Sequence, residues 1–229
     1  PRLTPHVGVD RQRPQPGTRP TTPGQAWAVL RAGNARFMAD ARDRPHRDTT
    51  IRQRLAHKQS PFAVLFGCAD SRVGAEIIFD QGLGDLFVAR TAGHVVDVSV
   101  LGSIEFGIAE LGIPLVVVLG HDSCGAVGAT MAAARSGVMP PGFLRDIVER
   151  VTPSLVAARR RHPDPTVDDV EHEHIGQTVG LLAERSVLIS RRIAQGRLAI
   201  VGVQYALAEG EARLTHVVGD VGQTPPDDR

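Results

Sequence analysis

Phe62-Ala-Val-Leu-Phe-Gly-Cys68-Ala-Asp70-Ser-Arg72 and Leu115-Val-Val-Val-Leu-Gly-His121-Asp-Ser-Cys124-Gly125 share one plan. In each, an apolar run of strand length breaks at a glycine and delivers soft, metal-capable side chains just beyond its carboxyl end. Together they supply Cys, His and Cys, with an Asp and an Arg alongside.

Outward from these stretches the chain alternates strand and helix. Strands are expected at 62–66, 86–89, 115–119 and 198–205, and helices at 99–111, 124–134, 143–159 and 167–194. The Glu209-Gly210 turn should return the chain antiparallel through 212–217. This alternation predicts an α/β fold, a mostly parallel sheet flanked by helices with an antiparallel C-terminal edge strand. If Cys68 ends the first strand and His121 with Cys124 ends the third, one metal can be shared only by neighbouring strands. The second strand then lies outside, giving the order 2-1-3-4. Winding reverses between strands 1 and 3, where open α/β sheets hold their ligands.

Residues 1–21 carry prolines at 1, 5, 14, 16 and 20 and several arginines without hydrophobic period, which predicts a disordered tail. A second such tail is expected at 219–229, leaving 22–218 as a single domain. The N-terminal stretch lacks the order of a signal peptide. Thr22 followed by Pro23 has the form of a helix start, and Trp27, Leu30, Asn34 and Phe37 continue at helical spacing. Residues 22–40 thus form an N-terminal helical arm whose apolar stripe packs on its own domain or reaches a partner subunit. Residues 41–50 are loop-like, and 51–58 suggest a further helical turn. In the long C-terminal helix Ile175, Val179, Leu182, Ser186, Ile189 and Ile193 make a packing seam. His172 and His174, two apart, point to different sides of it, which disfavours joint metal binding.

The chain has 229 residues, 42% of them apolar and 22% charged, which suits one domain with a sizeable core. Twenty-six basic residues against 25 acidic ones leave a net charge of +1, giving no reason to expect nucleic acid or an anionic membrane as partner. The apolar run 113–119 is about a third of the ~20 residues a membrane helix needs. Cys68 and Cys124 could pair as a disulfide. With no secretory apolar segment, and with both cysteines beside other ligand types at strand ends, metal binding in a reducing cytoplasm is the expectation.

Two thiolates and a neutral imidazole select zinc, and Cys68, His121 and Cys124 leave one position open. The fourth ligand is water or Asp70. With Asp70 bound the site resembles a structural zinc; with Asp70 held back by Arg72, water can enter and be ionised to a nucleophile. Two thiolates cancel the charge of the ion, so that water is acidified less than in a three-histidine site.

Cys68-x-Asp70-x-Arg72 followed some fifty residues later by His121-x-x-Cys124-Gly125 resembles the β-class carbonic anhydrase family in its bacterial form, over about residues 22–218. The resemblance implies reversible hydration of CO₂ to bicarbonate and a proton, with zinc on Cys68, His121 and Cys124 and a gate made by Asp70 and Arg72. It also implies a homodimer or a dimer of dimers in which the N-terminal helix embraces the partner, with sites at the interface. Gln59 matches a glutamine that contacts substrate from the neighbouring subunit. Phe87 and Phe106 match aromatic positions lining the CO₂ pocket, and Gly125 completes the substrate-binding set. Some bacterial relatives bind bicarbonate at a second site through Trp, Arg and Tyr; here Arg90 is present, but Leu65 and Phe106 hold the other places. His94, in the variant stretch Arg90-Thr-Ala-Gly-His94, is a candidate proton carrier. Two other readings share the zinc ligands, a non-catalytic module with structural zinc and a hydrolase of CS₂ or COS. A phosphate-binding reading of 120–125 fails for want of the Walker spacing and lysine.

Overall fold

A computed structural model describes residues 19–226. Its elements run α1 (Pro23–Met38), α2 (Thr49–Leu55), β1 (Ala63–Cys68), α3 (Ala75–Ile78), β2 (Leu86–Thr91), a 3-10 turn (Ala92–His94), α4 (Val98–Ala109), β3 (Leu115–His121), α5 (Gly125–Ser136), α6 (Leu144–Arg161), α7 (Val167–Arg185), α8 (Val187–Ala194), β4 (Ala199–Tyr205) and β5 (Ala212–Val218). The five strands form one sheet in the order β2-β1-β3-β4-β5. All pairs are parallel except β4 with β5. The expected strand order and the antiparallel edge are both present.

Every residue of β1 and β3 is buried, because both faces of the sheet are covered. One face carries Ala63, Leu65, Leu115, Val117 and Leu119 against Trp27 and Leu30 of α1 and Ile78 of α3. The other carries Val64, Phe66, Val116 and Val118 against Ile104 and Ile108 of α4, Ile175 and Leu182 of α7 and Ile189 of α8. A third apolar cluster lies past the strand ends. There Val127 and Met131 of α5, Val151 and Leu155 of α6 and Val170 of α7 pack with Cys68 and Cys124.

The apolar stripe of α1 closes on its own chain. Thr22 caps it, accepting from the Gln25 amide. Asn34, buried, donates to the carbonyls of Ile78 and Gly210 at 3.2 and 2.8 Å and accepts from the Ala212 amide at 2.9 Å. Asp80, with no exposed side-chain surface, receives Arg36 at 2.6 Å and the amides of Asp43 and Arg44.

One expectation is corrected, and the described ends of the chain carry contacts. The long helix does not run through 167–194: Ser186 is extended (φ −106°, ψ 110°) and caps α8, its hydroxyl accepting from Ile189 and donating to Glu105. Of the expected tail 219–229, residues 219–226 are described, and two of them are tied to the domain. Val221 joins the core, and Gln223 accepts from the Trp27 indole at 3.1 Å and from Arg31 at 2.6 Å. Of the expected tail 1–21, Arg19 donates to the carbonyls of Pro61 and Leu111; residues 1–18 and 227–229 lie outside the described residues.

Candidate metal centre

β1 and β3 are neighbours, and each ends in a candidate ligand. The sulfurs of Cys68 and Cys124 and a ring nitrogen of His121 lie within 4.8 Å of one another, all three residues buried. Cys124 occupies the N-cap of α5. The imidazole is pre-set: Nδ1–H donates to the Asp122 carbonyl at 2.7 Å, leaving the Nε2 lone pair for a ligand. That Nε2 is buried without a hydrogen-bond partner. An orphaned nitrogen facing two sulfurs is a costly arrangement unless a cation completes it.

A hydrogen bond from Cys124 holds the Cys68 sulfur well below its ordinary pKa, against the opposing effect of burial. Cys124, the donor in that bond and itself buried, is pushed up. A metal would replace the shared proton and hold both as thiolates. Cys68 already accepts a backbone hydrogen bond, from Gly93 N–H at 3.3 Å. Its carbonyl takes Arg90 Nε at 2.8 Å, and the other prong of Arg90 reaches the Asp70 carbonyl. Arg90 therefore braces the turn that follows β1.

Asp70 and Arg72 sit at the mouth of this cluster. Arg72 donates Nε to Oδ1 at 2.9 Å and Nη2 to Oδ2 at 2.7 Å, and its own backbone amide also reaches Oδ1. The guanidinium holds the Asp70 carboxyl well below the usual carboxylate range. Oδ2 is nonetheless 3.9 Å from His121 Nε2.

A family model described as "Carbonic anhydrase" matches residues 63–212. The chain belongs to the β-carbonic anhydrase family. It is 54% identical over 203 residues to "Carbonic anhydrase 2" of Mycobacterium tuberculosis, covering 89% of this chain and 98% of that protein. It is 52% identical, with the same coverage, to "Carbonic anhydrase" of Mycolicibacterium smegmatis. Among solved structures, the Coccomyxa β-carbonic anhydrase in complex with acetazolamide superposes with a TM-score of 0.67 at 23% identity, covering 81% of this chain and 85% of that one. That likeness concerns the fold.

Behind the candidate ligands lies a set of buried polar groups that sequence reasoning missed in this β-carbonic anhydrase. Glu171 of α7 has no exposed surface, and its Oε1 accepts the His121 backbone N–H at 3.0 Å. Burial pushes its carboxyl up to about 8. His94 is also fully buried, its Nδ1 3.5 Å from Glu171 Oε1. Burial pushes its pKa well below the ordinary value, so a proton-carrying role with direct access to solvent does not fit its position. Gly120 makes room for this layer, since a Cβ there would strike Glu171 Oε1 and Ile175. The signal available in the sequence was that glycine, one residue before a ligand; Glu171-His-Glu-His174 reads as a solvated face. His172 stays apart from the cluster, its ring 4.9 Å from that of His216.

Of the remaining candidates, only Gly125 adjoins the cluster, at the first position of α5 beside Cys124, with open space where a Cβ would stand. Gln59 is exposed and precedes the start of β1, about 20 Å of strand from Cys68. Phe87 lies near the start of edge strand β2, opposite Val64, with its ring 6.2 Å from that of Phe106 on α4. Within one chain, neither Phe87 nor Gln59 is brought to the candidate metal ligands.

Proposed function

We propose that this chain catalyses the reversible hydration of carbon dioxide to bicarbonate and a proton, with one zinc ion held by Cys68, His121 and Cys124. The observation that carries the reading is the buried, unpartnered His121 Nε2 converging with two sulfurs beside a carboxylate already claimed by an arginine. Two thiolates and one neutral imidazole suit zinc and leave a position free. Zinc bound there would supply the Lewis acidity that generates a nucleophile from water at moderate pH. Membership of the family and the names of the mycobacterial relatives support the same reaction.

The chain's own groups do the rest. Asp70, fixed by Arg72, presents a carboxylate that accepts a hydrogen bond and orients the attacking oxygen. Its reach toward His121 also lets Asp70 close the site as a fourth ligand when Arg72 releases it. Residues 22 to about 223 form the domain. The half-buried edge strand β2, with Phe106 47% exposed and Val98 89% exposed on the neighbouring helix, is the face on which a second copy would dock. Gln59, Phe87 and Phe106 would then serve a site completed by two chains. Two free, buried thiols suit a reducing cytoplasm. Among the described residues no helix is long and apolar enough to cross a membrane.

Stopped-flow CO₂ hydration on protein of measured zinc content tests the proposal. Turnover proportional to zinc is expected. Stoichiometric zinc without hydration at any pH would assign the chain to a structural-zinc module, and hydrolysis of COS or CS₂ in its place would assign the alternative substrate.

A further inference from the structure

The geometry points to His174 as a positioning residue for the ligand Cys68, acting through Gly93. The inference rests on Cys68 being a metal ligand. His174 is buried on α7, 81 residues beyond Gly93 in sequence, and its Nε2 meets the Gly93 carbonyl at 2.8 Å. Gly93 in turn sends its N–H to the Cys68 sulfur at 3.3 Å. One residue thus carries both contacts, its oxygen anchored by the histidine and its nitrogen aimed at the ligand.

The backbone at this point needs an anchor. Gly93 and His94 are both left-handed, at φ +62° and +38°. For His94 that conformation is unfavourable and persists only where its surroundings enforce it. A glycine is required at 93 both for the angle and for space, since a Cβ would lie 2.7 Å from Ala126 Cβ. The His174 ring lies 4.4 Å from the His94 ring, so the same side chain packs on one left-handed residue and hydrogen-bonds the other.

The polar ends of His174 are assigned by their partners. A nitrogen facing a carbonyl must carry hydrogen, so Nε2–H donates to Gly93. Burial lowers the pKa of the ring, and Nδ1 meets at 2.9 Å the Ser154 hydroxyl, which also faces Gln177 Oε1 at 3.0 Å. Packing alone would be satisfied by an aromatic hydrocarbon of the same size. The hydrogen bond is what ties α7 to the segment that orients the sulfur. An N–H on a thiolate ligand fixes its direction and tempers its electron donation to the metal, and losing such outer contacts typically weakens metal binding about tenfold or more.

The test uses the full chain loaded with cobalt(II) in place of zinc, as wild type, His174→Phe and His174→Gln. The readouts are the sulfur-to-metal charge-transfer absorption and the rate of metal release to a chelator. Phe keeps the ring volume and loses the donor; release about tenfold faster and a shifted band are expected. Gln places an amide N–H near the position of Nε2 and should restore both toward wild type. A Phe variant with wild-type spectrum and release overturns the inference, as does a Gln variant as impaired as Phe. Should the Phe protein fail to fold, the Gln protein decides alone: a wild-type band supports the role and a shifted band overturns it. Wild-type protein that takes up neither cobalt nor zinc would instead sink the metal reading itself.

Discussion

Arg72 and Asp70 form a planar, two-pronged ion pair, with Nε 2.9 Å from Oδ1 and Nη2 2.7 Å from Oδ2, while the same Oδ2 lies 3.9 Å from His121 Nε2. The carboxylate therefore stands between a cation that holds it and a metal site within its reach. Its pKa is held well below the ordinary range, chiefly by the Arg72 hydrogen bonds, which favours the ionised form. With zinc bound, a water that has to lose a proton would compete with Asp70 for the open position and give activity a pH dependence. Activity should therefore rise with pH. Arg72→Ala should keep zinc and lose activity across the range, and Arg72→Lys should recover only part of it because lysine cannot make the two-pronged contact. An Ala variant with the wild-type pH–rate profile would show that Asp70 is no gate.

Replacing Cys124 by Ser should remove most of the zinc, because a hydroxyl is a poor ligand in place of a thiolate. Metal analysis and hydration assays on the same sample should fall together. Full zinc retention would mean that the ligand lies elsewhere.

Gly120→Ala places a methyl group against the Glu171 carboxyl and Ile175. The expected cost is about 1–3 kcal/mol from overpacking, and the displacement of Glu171 from the His121 amide should also speed metal loss. Chemical unfolding of the metal-free protein separates the two effects. Unchanged stability would show that α7 yields freely at this point.

Asp80 gives a pH-dependent contribution to stability. Burial alone would raise its pKa, but Arg36 and the amides of Asp43 and Arg44 together outweigh it and hold the carboxyl below its ordinary value. The folded chain thus favours the ionised form more strongly than the unfolded chain does. The contribution is complete above about pH 4, the unfolded value, and is lost as pH falls through the lower folded value. Asp80→Asn should cost about 3 kcal/mol at neutral pH, a difference that narrows in acid. Urea unfolding at pH 7 and pH 3 measures it, and an equal difference at both would contradict the ion-pair account.

The strand ends were legible because β1 and β3 are buried on both faces and so read as unbroken apolar runs that stop at Gly67 and Gly120 just short of Cys68 and His121. Strand order followed from requiring those ligands to meet. Ser186 misled because a small residue on a packing seam and a helix cap look alike; only the extended backbone and the bond to Glu105 distinguish them. Glu171 and His174 were hidden among alternating charges, since nothing local reports that α7 presses that face onto the ends of the sheet. The docking of α1 was left open by an apolar stripe that could meet either chain. Its closure depends on Asn34 finding Gly210 and Ala212, far along the sequence.

The bond between Trp27 and Gln223 spans 196 positions. A ribosome makes α1 first among the helices described and finishes its seat only after all the described strands, when Val221 and Gln223 emerge. Through most of synthesis Ala26, Trp27 and Leu30 have only part of the surface that finally covers them. Contacts of such long sequence separation are slow to form and leave apolar surface exposed in the meantime. Of the described helices α1 is therefore among the last to settle, and a nascent chain stalled before Val221 would present that helix to whatever binds unfinished proteins.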